Sequence, residues 1–161
     1  MELPDPAPEP DSLPLRRAAR VLLLDPLDRV LLMRYDDQPP DGRHWSTPGG
    51  GLNPGEEYPQ AALRELAEET GWDDIALQDQ VLAQTRVLTH GDRRTRQFER
   101  LYLARTGTPG REIRGVEAMH AADGIAAWRW WSLAELESTA EVIYPAGIAR
   151  LMREVLGTAA P

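Results

Sequence analysis

Cysteine and lysine are absent from these 161 residues, and phenylalanine occurs once. Without cysteine there is no disulfide framework, no thiolate nucleophile and no thiolate metal site. Three scattered histidines give no basis for a zinc centre either. All 18 bases are arginine, set against 26 acids for a net charge of -8. Such a balance offers no broad attraction for DNA, RNA or an anionic membrane, although a local arginine cluster can still hold phosphate. An acidic chain that handles a polyanion needs a partner charge, and a divalent cation would supply it. No apolar run approaches the roughly 20 residues of a membrane span. The opening MELPDPAPEPDSLP carries acids where a secretory leader has bases. The expectation is a cytoplasmic protein without membrane contact.

What is present suits one domain of ordinary size. Residues 1–14 hold five prolines and four acids and read as a disordered tail, residues 15–157 as the single domain, and 158–161 as a short C-terminal tail. Two apolar runs around DPLD predict a hairpin from Ala18 to Arg34. The segment DDQPPDGRHWSTP reads as a loop. From Pro59 the period changes: Ala62, Leu63, Leu66 and Ala67 recur at helical spacing and Gly71 terminates them. A short strand and a long hairpin turning near Gly91 follow. AWRWW predicts a strand that sends Trp128 and Trp130 to one face and Trp131 to the other. A short helix comes next, and then a closing helix with Ile148, Leu151, Met152 and Val155 inward. Strands interleaved with helices imply an α/β sandwich with helices on both faces of the sheet.

The predicted helix behind the glycine run PGGG is short of counter-charge. Positions three and four apart share a helix face, so Glu65, Glu68 and Glu69 converge within one turn, pointing away from the Leu63 and Leu66 stripe. Like charges so placed repel by about 0.2–0.5 kcal/mol per pair, and near the C-terminal end the macrodipole adds to the penalty. Arg64 alone does not neutralise three carboxylates. A bound cation reverses the sign, and clustered carboxylate oxygens suit Mg²⁺ or Mn²⁺ shared with substrate phosphates. Glycines let backbone approach a ligand closely. Loop and helix together describe a site for metal and phosphate.

The stretch GGLNPGEEYPQAALRELAEETGW resembles the Nudix box. Gly50 fills its first glycine, Glu56 the following glutamate, Arg64 and Glu65 the Arg-Glu pair, Leu66 the aliphatic place, Glu68 and Glu69 the double acid and Gly71 the closing glycine. Trp72 stands where an aliphatic residue is usual. The flanks RAARVLLLDPLDRVLLMR and AWRWWSLAEL are similar to the family as well, so the resemblance spans about residues 16–156. It implies an α/β/α sandwich with a mixed sheet and a Mg²⁺- or Mn²⁺-dependent hydrolase of phosphoanhydrides in nucleoside diphosphate derivatives. Glu65, Glu68 and Glu69 are then the metal-binding acids, with the Gly49 carbonyl beside them. Glu56 and Arg64 tie loop to helix.

In-line attack of water on phosphorus needs a proton acceptor. Glu65 or Glu69 within the box, or Glu117 and Asp123 outside it, with Glu99 ranked behind them, are the candidates. Arginines supply phosphate ligands where lysine is absent: Arg20, Arg34 and Arg100 lie on predicted strands, while Arg93, Arg94 and Arg96 crowd a hairpin tip. Tyr35, His44 and Trp45 lead into Gly50 and Gly51, where a base stacks. The expected substrate is a small nucleoside diphosphate derivative: a nucleoside triphosphate, ADP-ribose, a nucleotide sugar or a dinucleoside polyphosphate. DNA is not expected as a partner, and net acidity argues against RNA. From the family, a homodimer is expected. The alternatives are an RNA 5′-end pyrophosphohydrolase and a non-catalytic nucleotide-binding regulatory domain. Diphosphate isomerisation, which the resembling family performs with a cysteine, is set aside.

Overall fold

The computed structural model describes residues 4–7, 13–38, 42–90 and 92–157. Strand β1 (Leu15–Leu24) carries the run AARVLLL, in which Ala18, Ala19 and Val21 to Leu24 have no solvent exposure. A continuous apolar run of this kind marks a strand covered on both faces. Side-chain alternation then divides two cores. Ala19, Val21 and Leu23 of β1, with Leu31 and Met33 of β2 (Val30–Gln38), face helix α1 (Tyr58–Thr70) through Ala61, Ala62 and Leu66. Leu22, Leu24, Val30 and Leu32 face α3 (Leu133–Ser138) and α4 (Ile148–Leu156) through Leu136, Ile148 and Met152. Helices thus lie on both faces, as expected. The tryptophans of β7 (Ile125–Trp131) divide in the same way, Trp128 and Trp130 with the α1 core and Trp131 with the other.

The sheet is mixed and runs β5 (Leu77–His90), β6 (Arg93–Arg105), β1, β2, β3 (Gly42–Ser46), β8 (Ile143–Tyr144), with β4 (Gly49–Gly51) paired to β1 and β7 to β2. β1 lies parallel to β6 (Arg93–Arg105) along its whole length, from Leu15 opposite Arg96 to Leu24 opposite Arg105. On its other edge β1 meets β2 at Leu24 opposite Val30 and takes β4 (Gly49–Gly51) at Ala18 to Arg20. β1 and β2 are therefore joined at one end and parted at the other, and β4 is sewn into the gap. A clasp closes the joined end. The buried Asp25 carboxylate accepts the N–H groups of Leu27 and Arg29 at 3.0 Å, the Arg29 guanidinium at 2.6 and 2.9 Å, and the Gly110 N–H at 2.9 Å.

Several expectations need correction. The expected loop before the glycines contains β3 (Gly42–Ser46), paired with β2. Its polar alternation, with His44 and Ser46 lining a cavity, hid the strand. The expected short strand and first hairpin arm form one strand, β5 (Leu77–His90), with pairing irregularities near Gln80. Neither α2 (Glu117–Asp123) nor β8 (Ile143–Tyr144) was expected from the sequence. α1 starts at Tyr58, whose ring packs edge-on against Phe98. Leu63, expected inward, is exposed. Of the N-terminal tail, residues 1–3 and 8–12 lie outside the described residues, as do residues 158–161. Asp5 lies within them and is tied down, accepting Tyr58 Oη at 2.8 Å, Arg17 Nε at 2.6 Å and Arg100 Nη2 at 3.2 Å. Among the described residues no helix is long and apolar enough to cross a membrane.

Candidate active site

β4 consists of three glycines because the site leaves no room there. At Gly49 φ is +149°, and a Cβ would sit 2.3 Å from the carbonyl oxygen of Ala19. At Gly50 a Cβ would sit 2.6 Å from the carboxyl carbon of Glu65. A bare strand thus lets the carboxylates of α1 come up against backbone. Gly49 N–H donates to Glu69 Oε2 at 3.1 Å, across the interface between strand and helix.

Arg64 is the hub on the outer side. It forks onto Glu56 with two hydrogen bonds of 2.8 Å, gives Nη2 to the Gly51 carbonyl at 2.9 Å and gives Nη1 to Glu65 at 2.9 Å, with Glu68 at 3.4 Å. The pairing with Glu56 holds that carboxyl down at about 2. The same guanidinium therefore touches two of the three candidate metal acids, more than the sequence suggested.

Two of the three acids are withdrawn from solvent. Glu69 is 2% exposed, and burial, reinforced by the Glu65 charge, pushes its pKa well above the usual carboxylate value. Burial raises Glu65 too, against the opposing pull of Arg64. Burial and the Glu69 charge raise the Tyr35 phenol. Two carboxylates held so unfavourably have a direct remedy in a cation.

These groups border one cavity of about 480 Å³. Of the candidate site residues, Glu65, Glu68, Glu69, Gly49, Gly50, Gly51, Arg20, Tyr35 and Asp123 line it. Others lie elsewhere, for reasons of strand parity and anchoring. Arg34 and Trp45, expected at the substrate, alternate to the opposite face: Trp45 packs edge-on against Trp131 at 5.1 Å, and Arg34 pairs with Asp36. Arg100 packs over Tyr58 at 4.8 Å and holds Asp5. Glu117 is exposed at the start of α2, one helix length from Asp123 at its end. Glu99, considered as a base, is buried among Arg20, Gln84 and Gln97.

Sequence reasoning missed Arg16 and Arg86, which border the cavity opposite α1. Arg16 was findable, since it shares alternation parity with Arg20 on a strand. Arg86 needed the register that places it opposite Gln97. His44 stacks on Tyr35 with ring centroids 5.3 Å apart. His120 Nε2–H donates to the Glu69 carbonyl at 2.6 Å, docking α2 on the end of α1.

Among the described residues no three acids or histidines already surround a common point, since Glu65 and Glu68 lean on Arg64 and Glu69 leans on Gly49. The donor set nonetheless fits a hard divalent cation. It is all carboxylate and carbonyl oxygen, withdrawn from solvent at Glu65 and Glu69 and placed against glycine backbone.

A cleft of carboxylates and arginines at a glycine strand, set in a mixed sheet between helices, defines the class, and the chain belongs to the Nudix family: the NUDIX domain model matches residues 14–152. Among curated relatives, an RNA pyrophosphohydrolase from Novosphingobium aromaticivorans is 48% identical over 61 residues, covering 37% of each chain. Another, from Dinoroseobacter shibae, is 43% identical over 76 residues, covering 46% of this chain and 44% of the relative. The matches thus span less than half of the relatives' length. Among solved structures, a MutT protein from Methanosarcina mazei superposes with a TM-score of 0.67 at 18% identity, covering 88% of this chain and 93% of its own. The dihydroneopterin triphosphate pyrophosphohydrolase of E. coli gives 0.67 at 19% identity, covering 89% and 96%. At those identities the superpositions establish the fold.

The relatives also correct one expectation. Net charge argued against RNA as a partner, yet the matched relatives bear the name RNA pyrophosphohydrolase. The charge of a whole chain does not describe a cavity bordered by Arg16, Arg20 and Arg86.

Proposed function

We propose that the protein is a divalent-metal-dependent pyrophosphohydrolase that acts on the 5′-phosphate chain of RNA. The observation that carries the chemistry is one cavity lined both by the α1 acids Glu65, Glu68 and Glu69 and by the arginines Arg16, Arg20 and Arg86 of β1 and β5. The names of the relatives carry the choice of RNA. Glu65, Glu68, Glu69 and the Gly49 carbonyl would hold Mg²⁺ or Mn²⁺, which when bound supplies charge neutralisation at the phosphate oxygens and a more acidic attacking water.

The remaining work falls to the chain itself. Arg64 fixes the pitch of α1 against the Gly51 loop through Glu56. Tyr35 and His44 present an aromatic stack at the cavity edge for the first base. Asp123 borders the cavity from α2 and is assigned the proton of the attacking water. Glu99 is not suited to that step, because Gln84, Gln97 and Arg20 already occupy its oxygens.

The test offers the protein 5′-triphosphorylated RNA, free nucleoside triphosphate, ADP-ribose and a dinucleoside polyphosphate with Mg²⁺ or Mn²⁺, and identifies the products. The expected result is 5′-monophosphorylated RNA formed with kcat/KM at least ~10-fold above any small substrate, abolished by chelator, slowed by D123N and not by E117Q. Turnover of a small substrate with no product from RNA would overturn the RNA assignment. Full activity in excess chelator would overturn the metal.

A further inference from the structure

The basic wall is unevenly committed. Arg20 Nε donates to Glu99 at 3.1 Å, and Nη1 to Ser46 Oγ at 3.1 Å and the Thr47 carbonyl at 2.9 Å. Arg16 Nη1 donates to Gln97 Oε1 at 2.6 Å. Glu99 Oε2 accepts from Arg20 and, at 2.9 Å, from Gln97, while Oε1 accepts from Gln84 at 2.7 Å. What is left for Arg86 is a contact of 3.5 Å through Nη2, well outside the 2.7–2.9 Å of a good charge-assisted bond. Its Nε and Nη1 are buried and make no hydrogen bond among the described residues.

The guanidinium is not loose for want of partners. It lies over the Tyr144 ring at 4.8 Å from the centroid, which fixes its plane without using a donor. Burial, with the positive charges of Arg20 and Arg16, disfavours its cationic form, and Glu99 opposes them. A half-buried cation with a fixed plane and undersupplied donors, bordering a cavity, is an anion receptor awaiting acceptors.

We propose that Arg86, backed by Tyr144, is a metal-independent phosphate receptor and a specificity determinant: it takes oxygens of a phosphate that the α1 carboxylates do not serve, so the substrate's phosphate chain is drawn across the cavity from the acidic to the basic wall. A single phosphate has one set of oxygens to share between the carboxylate-held cation and Arg86, whereas a chain of two or more phosphates offers each its own, which makes Arg86 the selector for polyphosphorylated ends. This inference rests on the phosphate reading of the cavity given above, but its test needs no turnover.

Binding of inorganic pyrophosphate to the full chain is measured by calorimetry in excess EDTA, with thermal melts to verify folding. The parent is expected to bind. R86M should weaken binding at least ~10-fold and R86K, which keeps the charge but not the fork, at least ~3-fold. R34M, altered at a residue that pairs with Asp36 and does not line the cavity, should bind as the parent does. Should R86M not fold, R86K and Y144L carry the test, the latter weakening binding through loss of the backing ring. A parent that binds no pyrophosphate without metal, or an R86M or R86K protein that binds as tightly as the parent, overturns the inference. Failure of hydrolysis on every substrate with Arg86-dependent binding intact would instead overturn the proposed reaction alone.

Discussion

Two glutamates in the same stretch have very different surroundings. Glu57 is exposed at the start of α1, where its N–H bonds Gln60 Oε1 at 3.0 Å. Glu69 is buried beside Glu65 and reaches the Gly49 amide. E69Q keeps the size and removes the charge, so kcat/KM should fall at least ~100-fold, about 3 kcal/mol of transition-state stabilisation, against less than ~3-fold for E57Q. Metal-free E69Q should melt no lower than the parent, since repulsion with Glu65 is relieved. Paired kinetics and melts separate the two roles, and an E69Q enzyme as fast as the parent would refute the metal assignment. Glu56 gives a pH test. Its folded value of about 2 lies below the ordinary 4.5, so the ionised pair with Arg64 stabilises the fold above pH 4.5, and that contribution is lost as pH falls toward 2. The Tm difference between parent and E56Q should be largest near neutrality and shrink across that window. A difference independent of pH would show that the pairing is not what holds the loop to α1. The box glutamates were legible as letters at fixed spacing. That Arg34 and Trp45 turn away was not, because the sequence read Trp45 as loop, whereas strand pairing of β2 with β3 puts both on the α3 and α4 side.

At the scale of elements, β4 is the piece with least freedom. G49A brings a methyl into the Ala19 backbone at a left-handed φ, and should cost about 3 kcal/mol or more, lowering Tm by roughly 6–12 °C in a domain of this size. G50A meets the end of a flexible side chain, Glu65, so Tm should change by less than ~2 °C while kcat/KM drops at least ~10-fold as that carboxylate is pushed aside. Calorimetry with kinetics on the two variants checks this split, and equal melting losses would show that β4 is not seated as described. α1 was readable because its apolar residues recur at a helical period. α2 was not, because seven residues with no buried side chain provide no amphipathic period to read. β3 and β8 are held by pairing with distant strands, information that local patterns do not contain.

For the whole molecule, a net charge of -8 surrounds a cavity whose basic wall is three arginines. Binding of triphosphorylated RNA should then rest on its end. Its log–log salt slope is expected to be no steeper than about -2, three contacts at ~0.7 each for a single strand. Lengthening the RNA from four to twenty nucleotides should alter KM less than ~3-fold. A steeper slope or a strong length dependence would mean that the exposed Arg93 and Arg94 at the hairpin tip carry the strand onward. The order of layers was visible in the alternation of apolar runs. The parting of β1 from β2 was not, because it depends on a third strand inserted between them. That parting has a mechanical result. The two leaves meet at Leu24 and Val30, beside the Asp25 clasp, and Arg20 lies on one leaf four residues out, about 13 Å along the strand. Swinging that leaf by ~5° moves its tip by roughly 1 Å, and 1 Å of misplacement is enough to cost about 100-fold in rate. The proposed reaction would thus depend on the stiffness of a turn whose residues do not line the cavity.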